Sequence, residues 1–221
     1  CREYITINVD AEDPTWLLPP SDLTVACDGS GNTTEFNNWL NNTFSGIDNC
    51  GSVTITTNSS GLSDDCGATG TETVTFTLTD SNNNAITLDA TFTIVDTADP
   101  TMDVAASDST VECDGTSDPS GAFAVWLADN GGAEASDSCS GVTWTNDSTG
   151  LSDACGATGS ETVTFTATDA CGNFTSTTAT FTTDDTTAPV IVCPDNLTAF
   201  TEDVNCGAIV FLGNPIVIEE C

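Results

Sequence analysis

Apolar and polar residues alternate over two long stretches. From Thr73 to Thr79, Val74, Phe76 and Leu78 alternate with threonines, and Val163, Phe165 and Ala167 repeat the pattern 89 positions later. A period of two sends one row of side chains to a core and the other to solvent, so both stretches predict strands. Thr91–Ile94 and Ala179–Thr182 continue the habit. Short strands between Gly, Asn and Asp turns predict an all-β fold. One segment per copy breaks the period. TTEFNNWLNN places Phe36, Trp39 and Leu40 at i, i+3 and i+4, and PSGAFAVWLADNGG does so with Phe123, Trp126 and Leu127. That spacing predicts a short amphipathic helix whose aromatics lid the core. Ser120 is its candidate N-cap and Gly131 its candidate terminator.

The alternation belongs to a larger repeat. LSDDCGATGTETVTFTLTD (62–80) returns as LSDACGATGSETVTFTATD (151–169), and D-x-x-x-P recurs at Asp10–Pro14, Asp96–Pro100 and Asp185–Pro189. The expected organisation is the last strand of a preceding module (1–10), a first module (11–97), a second (98–186) and the N-terminal part of a third (187–221). Strand lengths, turns and module size predict tandem immunoglobulin-like β-sandwich modules in a row, each with one short inserted helix. The chain opens in mid-strand without a signal peptide, and reads as a processed chain or part of a longer one.

Charge narrows the function. There are 34 acidic residues, one basic residue (Arg2) and no histidine, a formal net charge of −33. Nucleic acid is not a partner, because phosphate must be neutralised by Lys or Arg. No apolar run approaches the length that inserts into a membrane. So much like charge needs counter-ions, and divalent cations held by carboxylates supply them. Without His or Lys the usual general bases and amine nucleophiles are missing, and the acids lie in repeating turn contexts, so no enzyme is expected. Eleven cysteines point to an oxidising compartment. Zinc fits poorly without histidine or C-x-x-C spacing.

DTTAPVIVCPDNLT (185–198), followed by CGAIVFLGNP and EEC, resembles the opening of a hyalin-repeat (HYR) domain. The full modules, with TVECDG, WLADNGG, DSC, LSDACGATGSETVTFTATDACGN and DDTTAP, are similar to HYR-related, Ig-like repeats of giant Bacteroidota surface proteins, including gliding-type adhesins exported by the type IX system. The resemblance implies an extracellular, cell-surface location and a Cys193–Cys206 disulfide. It also implies O-glycans at Asp-Ser/Thr motifs, hence at Thr97, Ser109, Ser148 and Thr186.

Ig-like topology then suggests pairings and a cation site. Cys139 and Cys171 fall at the end where the chain enters a module, Cys113 and Cys155 at the end where it leaves. The expected disulfides are Cys113–Cys155, Cys139–Cys171 and, in the first module, Cys27–Cys66. Cys50 would want residue 82, which is Asn; it is free or paired elsewhere. Cys1 and Cys221 pair with parts of modules outside the chain, or between assembled chains. The entry ends also collect acids: Asp10, Asp13, Asp48, Asp80 and Asn84 in one module, Asp96, Asp99, Asp137, Asp169 and Asn173 in the next, and Asp185 at the third. Exit-end acids (Asp28, Asp64, Asp65, Asp114, Asp153) face the junctions. These are the candidate Ca2+ ligands. The expected function is a structural stalk or filament segment of an extracellular bacterial adhesin, stiffened by disulfides and interdomain Ca2+. Its partners are neighbouring modules of the same long chain or identical subunits in a fibre. The alternative is a carbohydrate- or surface-binding module whose repeats themselves hold surface glycans.

Overall fold

A computed structural model describes residues 10–116, 118–152, 154, 156–194, 213–219 and 221. The first repeat contains β1 (Thr15–Leu18), β2 (Leu23–Ala26), α1 (Thr33–Leu40), β3 (Ser45–Ile47), β4 (Thr54–Thr57), β5 (Gly70–Thr79) and β6 (Ala85–Val95). The second contains β7 (Thr101–Val104), β8 (Ser109–Glu112), α2 (Ala122–Ala128), β9 (Glu134–Ser136), β10 (Thr143–Asn146), β11 (Gly159–Thr168) and β12 (Phe174–Asp184). β13 (Val190–Val192) and β14 (Ile216–Ile218) begin the order again. The four-stranded sheet β2-β6-β5-β4 and the ribbon β1-β3 recur as β10-β11-β12-β8 and β7-β9, and β13 pairs with β14. β2 runs parallel to β6, whereas β5 and β6 form an antiparallel hairpin in which Val74 faces Ala90 and Phe76 faces Leu88. This is an all-β, immunoglobulin-like sandwich repeat with a short inserted helix in each copy.

The residues gather into two compact units. One consists of the residues up to Thr101 with Ala135–Thr143 and Ala167–Thr175; the other consists of Met102–Glu134, Trp144–Thr166 and the residues from Ser176 onward. In the first unit the inward rows of β5 and β6 make the core: Val74, Phe76, Leu78 and Phe92 are 0 % exposed. Helix α1 closes it. Trp39 meets Phe76 and Phe92 at ring-centroid distances of 5.5 and 5.4 Å, and its indole N–H donates to the Ser21 carbonyl. Burying three rings with the one polar atom satisfied fixes where the helix sits. The second unit repeats this with Trp126 on Phe165 and Phe181, at 5.2 and 5.5 Å. The aromatics at helical spacing are therefore core.

One detail differs from the expected helix start. Ser120 does not cap α2; it takes a left-handed conformation (φ 56°) in a tight turn begun by Pro119. That turn brings the Asp118 carboxylate to the Phe123 N–H, at 2.7 Å, so Asp118 satisfies the first-turn donor. Gly131 (φ +66°) lies in the turn beyond α2.

Candidate functional site

The cysteines are placed by the strands that carry them. Cys27 follows β2, Cys66 lies before β5, Cys139 lies between β9 and β10, and Cys171 sits in the β11–β12 turn. All four belong to the first unit. They pair as Cys27–Cys139 and Cys66–Cys171, and in the second unit Cys113 pairs with Cys221. Each bond thus joins one copy of the sequence repeat to the next, not two cysteines of one copy. This corrects the expected Cys27–Cys66, Cys139–Cys171 and Cys113–Cys155 pairs. Topology does not choose between a partner in the same repeat and one in the next. Cys155 and Cys206 lie outside the described residues, and Cys193 is exposed with a free thiol.

The loop between Cys66 and β5 makes that choice. The Ala68 N–H donates to the Cys139 carbonyl at 2.8 Å, and the disulfide-bonded Cys171 sulfur lies 3.2 Å from the Cys66 carbonyl. Gly67 has φ +60°, and a Cβ there would strike the Cys139 carbonyl. Gly156, 89 residues on, has φ +64°, and a Cβ there would strike the Cys221 carbonyl. The two glycines serve both turn and close approach, which only a residue without a Cβ allows. The repeated CGATG is therefore a clasp on the cysteine of the following repeat.

Beside the cysteines lie the acids. In the first group, carboxylate oxygens of Asp10, Asp48 and Asp80 all lie within 4.8 Å of one another. Asp80 is 5 % exposed, at the head of the β5–β6 turn. Its Oδ1 accepts the Asn82 and Asn84 N–H groups at 2.7 and 2.9 Å, and its Oδ2 accepts the Asn84 side chain at 2.8 Å. Burial works to raise the Asp80 carboxyl, but the hydrogen bonds, led by the Asn84 side chain, overcome it and hold the pKa below its ordinary value. Close by, the Cys50 thiol is pushed up, chiefly by the charge of Asp10, then by burial and by Asp48, Glu12 and Asp80.

The second group is built differently. Asp96 and Asp137 carboxylates lie within 4.8 Å of each other and of Cys139 Sγ, a sulfur already spent in a disulfide. Asp137 Oδ2 accepts the Cys139 and Ser140 N–H groups at 2.8 and 2.9 Å. Asp169, 5 % exposed, repeats the part of Asp80: burial raises it and the Asn173 hydrogen bonds pull it lower. Asn173 Nδ2 joins Asp169 Oδ2 to the Asp96 carbonyl. Asp96 Oδ2 is buried with no hydrogen-bond partner among the described residues, an unfavourable state for a carboxylate oxygen unless a cation meets it. Clustered hard oxygens with no cationic side chain beside them among the described residues suit Ca2+, which takes six to eight oxygens in adaptable geometry.

The remaining candidates separate. Asp13 and Asp99 are exposed and stand outside both groups. Asp28 accepts the Ser30 and Asn32 N–H groups, Asp65 the Ser63 hydroxyl, and Asp114 the Thr116 N–H and hydroxyl: these acids cap turns. Asp64 is exposed, and Asp153 lies outside the described residues. Asp185 is exposed and accepts the Thr187 N–H. Of the glycosylation candidates, Thr97 is exposed, Ser109 begins β8, Ser148 donates to Glu161 and Thr186 donates to Glu112.

Sequence reasoning missed two strand acids, Glu72, which is buried, and Glu161, which is partly buried. Glu72 is 8 % exposed and accepts the Ser60 and Gly61 N–H groups and the Ser59 and Ser60 hydroxyls. Glu161 does the same for Ser148, Thr149 and Gly150. In both, burial raises the carboxyl and the hydrogen bonds lower it further, leaving the pKa below normal. The signal was present: Glu72 is in phase with Val74, Phe76 and Leu78, on the inward row.

No protein-family profile and no curated protein sequence matches the chain. Solved structures do align. A crystal structure of Drosophila N-cadherin EC1-4 is 12% identical over 79% of this chain and 50% of that one, with a TM-score of 0.32. Human CDH23 EC21-23 is 14% identical over 93% and 79%, with a TM-score of 0.33. An I-band fragment of titin is 13% identical over 83% and 75%, with a TM-score of 0.28. The chain spans about half the length of the N-cadherin structure.

Proposed function

We propose that this chain is a structural segment of an extracellular stalk or filament, in which each repeat is disulfide-bonded to the next and Ca2+ stiffens the joints. The observation that carries this reading is the pattern Cys27–Cys139, Cys66–Cys171 and Cys113–Cys221, in which every bond advances one repeat. A module that only needed its own core stapled would close its disulfides internally. Asp10, Asp48 and Asp80 hold one cation; Asp96 and Asp137, supported by Asp169 and Asn173, hold another. Asp13, Asp99 and Asp185 take no direct part. The residue resemblance to HYR-related repeats supports reading the segment as part of a bacterial cell-surface adhesin, with neighbouring modules of the same chain or identical subunits as partners. Thr97 is the best-presented glycan acceptor. Isothermal titration with Ca2+, and melting with and without chelator, test the cation; a melting temperature indifferent to chelator defeats it. Non-reducing peptide mapping tests the bonds, and recovery of Cys27 joined to Cys66 would overturn the stalk reading.

A further inference from the structure

Cys50 occupies the same local structure as Cys139. Its N–H donates to Asp48 Oδ2 at 2.7 Å, as that of Cys139 donates to Asp137 Oδ2 at 2.8 Å, and the two lie 89 positions apart, after β3 and β9. Cys221 holds the corresponding place after β14, which pairs with β13 as β3 pairs with β1. Cys139 and Cys221 are bonded to cysteines 112 and 108 residues earlier, and both of those, Cys27 and Cys113, close a strand and begin a Cys-Asp-Gly sequence. Cys50, by contrast, is exposed with a free thiol.

We propose that Cys50 is the acceptor of a disulfide from a further repeat of the same kind, one offering an unbonded cysteine at the position of Cys27 and Cys113. The partner is a folded repeat and not a small thiol, because the two occupied examples are built around backbone as well as sulfur. The Gly67 and Gly156 loops lie against the carbonyls of Cys139 and Cys221, and Ala68 donates a hydrogen bond to the first of these. A docking repeat brings such a loop to the Cys50 carbonyl. Asn82 stands where Cys171 stands in the next repeat. This joint therefore carries one disulfide where the next carries two, and the docking repeat needs no cysteine in its loop. Bond formation releases one proton from each thiol, and the two electrons pass to a small-molecule disulfide such as oxidised glutathione, which is reduced to two thiols. Intact copies do not join one another this way, because their own Cys27 and Cys113 are already bonded.

The link depends on the disulfide pattern and not on the cation, so it is measured in EDTA, where loss of Ca2+ cannot mimic its failure. The full chain carrying Cys221→Ser frees Cys113. In a glutathione redox buffer it should form covalent multimers, with Cys50 joined to Cys113 in an Asp-specific digest. Cys50→Ser with Cys221→Ser should lose them. Because Cys221→Ser alters its own second unit, it is also mixed with wild type, whose intact Cys50 should capture the variant as a covalent dimer. Wild type alone should show no cross-link from Cys50 to Cys27 or Cys113. The proposal is overturned if no multimer forms, if multimers persist without Cys50, or if Cys113 is captured as readily by the exposed Cys193 as by Cys50.

Discussion

Two acidic groups, made by equivalent residues, differ in what lies beside them. Around Asp80 three carboxylates converge, and the adjacent Cys50 is a free thiol. In the second group only Asp96 and Asp137 converge among the described residues, with the bonded Cys139 sulfur in the third place and Asp169 tied to the Asp96 carbonyl through Asn173. The first has more charge and less scaffolding; the second has less charge and covalent support. The same sequence register thus yields an acidic group beside a free thiol in one repeat and an acidic group beside sulfur bridges in the next. Preorganisation should favour the second, because ordering its acids costs less on binding.

Breaking the bridges should erase that contrast with the largest effect. Replacing Cys27 and Cys139, or Cys66 and Cys171, by serine opens a loop of more than a hundred residues, worth about 4–5 kcal/mol in the chain-entropy model. Denaturant unfolding should show that loss, and Ca2+ titration should show weaker binding at the second group with the first unchanged. Removing the cation comes next. At a hundredfold excess over Kd, bound Ca2+ adds about 2.7 kcal/mol. Chelation should therefore lower the melting temperature, while Asp96→Asn with Asp137→Asn should abolish one calorimetric binding event and leave the other. Gly67→Ala strains both the turn and the approach to Cys139, at about 1–3 kcal/mol. It should also speed reduction of Cys27–Cys139 by dithiothreitol while leaving Cys113–Cys221 unaffected. The smallest effect concerns pH. Glu72, Glu161, Asp80 and Asp169 all have lowered folded-state pKa values, so their stabilisation is present above the ordinary values of 4.5 for Glu and 3.8 for Asp. It is lost as pH falls through the lowered ones. Glu72→Gln should cost about 1 kcal/mol at pH 7 and progressively less as pH falls through the lowered Glu72 pKa, as read from paired melting curves.

The periodic features of the fold were legible. Threonine alternation marked β5 and β11, and the spacing of Phe36, Trp39 and Leu40 marked α1, because both patterns report burial directly. The acids Asp10, Asp48 and Asp80 were also found, since turn position and repeat register bring them to one end. The disulfide partners were not. Register tells which end of a repeat holds Cys66, but whether it bonds Cys27 or Cys171 depends on how a five-residue loop lies against the next cysteine. The absent cysteine at Asn82 was a clue, as it leaves Cys50 unmatched if the bonds close within a repeat but not if they run between repeats, where the Cys171 position bonds the Cys66 position. Glu72 lies within a strand and not in a turn, so turn chemistry does not mark it. The cap on α2 was misassigned because Pro119 turns Ser120 away and leaves Asp118 to reach the helix.

The overlap of the three disulfides limits how far the chain can lengthen, even if every strand came undone. Along the backbone, Cys27 and Cys221 are separated by 194 residues, about 660 Å when fully extended. The shortest covalent route between them crosses Cys27–Cys139, runs back over the 26 residues to Cys113 and crosses to Cys221, about 100 Å in all. A load applied at those two points would be carried by that short route, with most of the polypeptide held slack in closed loops. Under such a load the oxidised chain behaves as a tether of nearly fixed length, and reduction converts it into one several times longer.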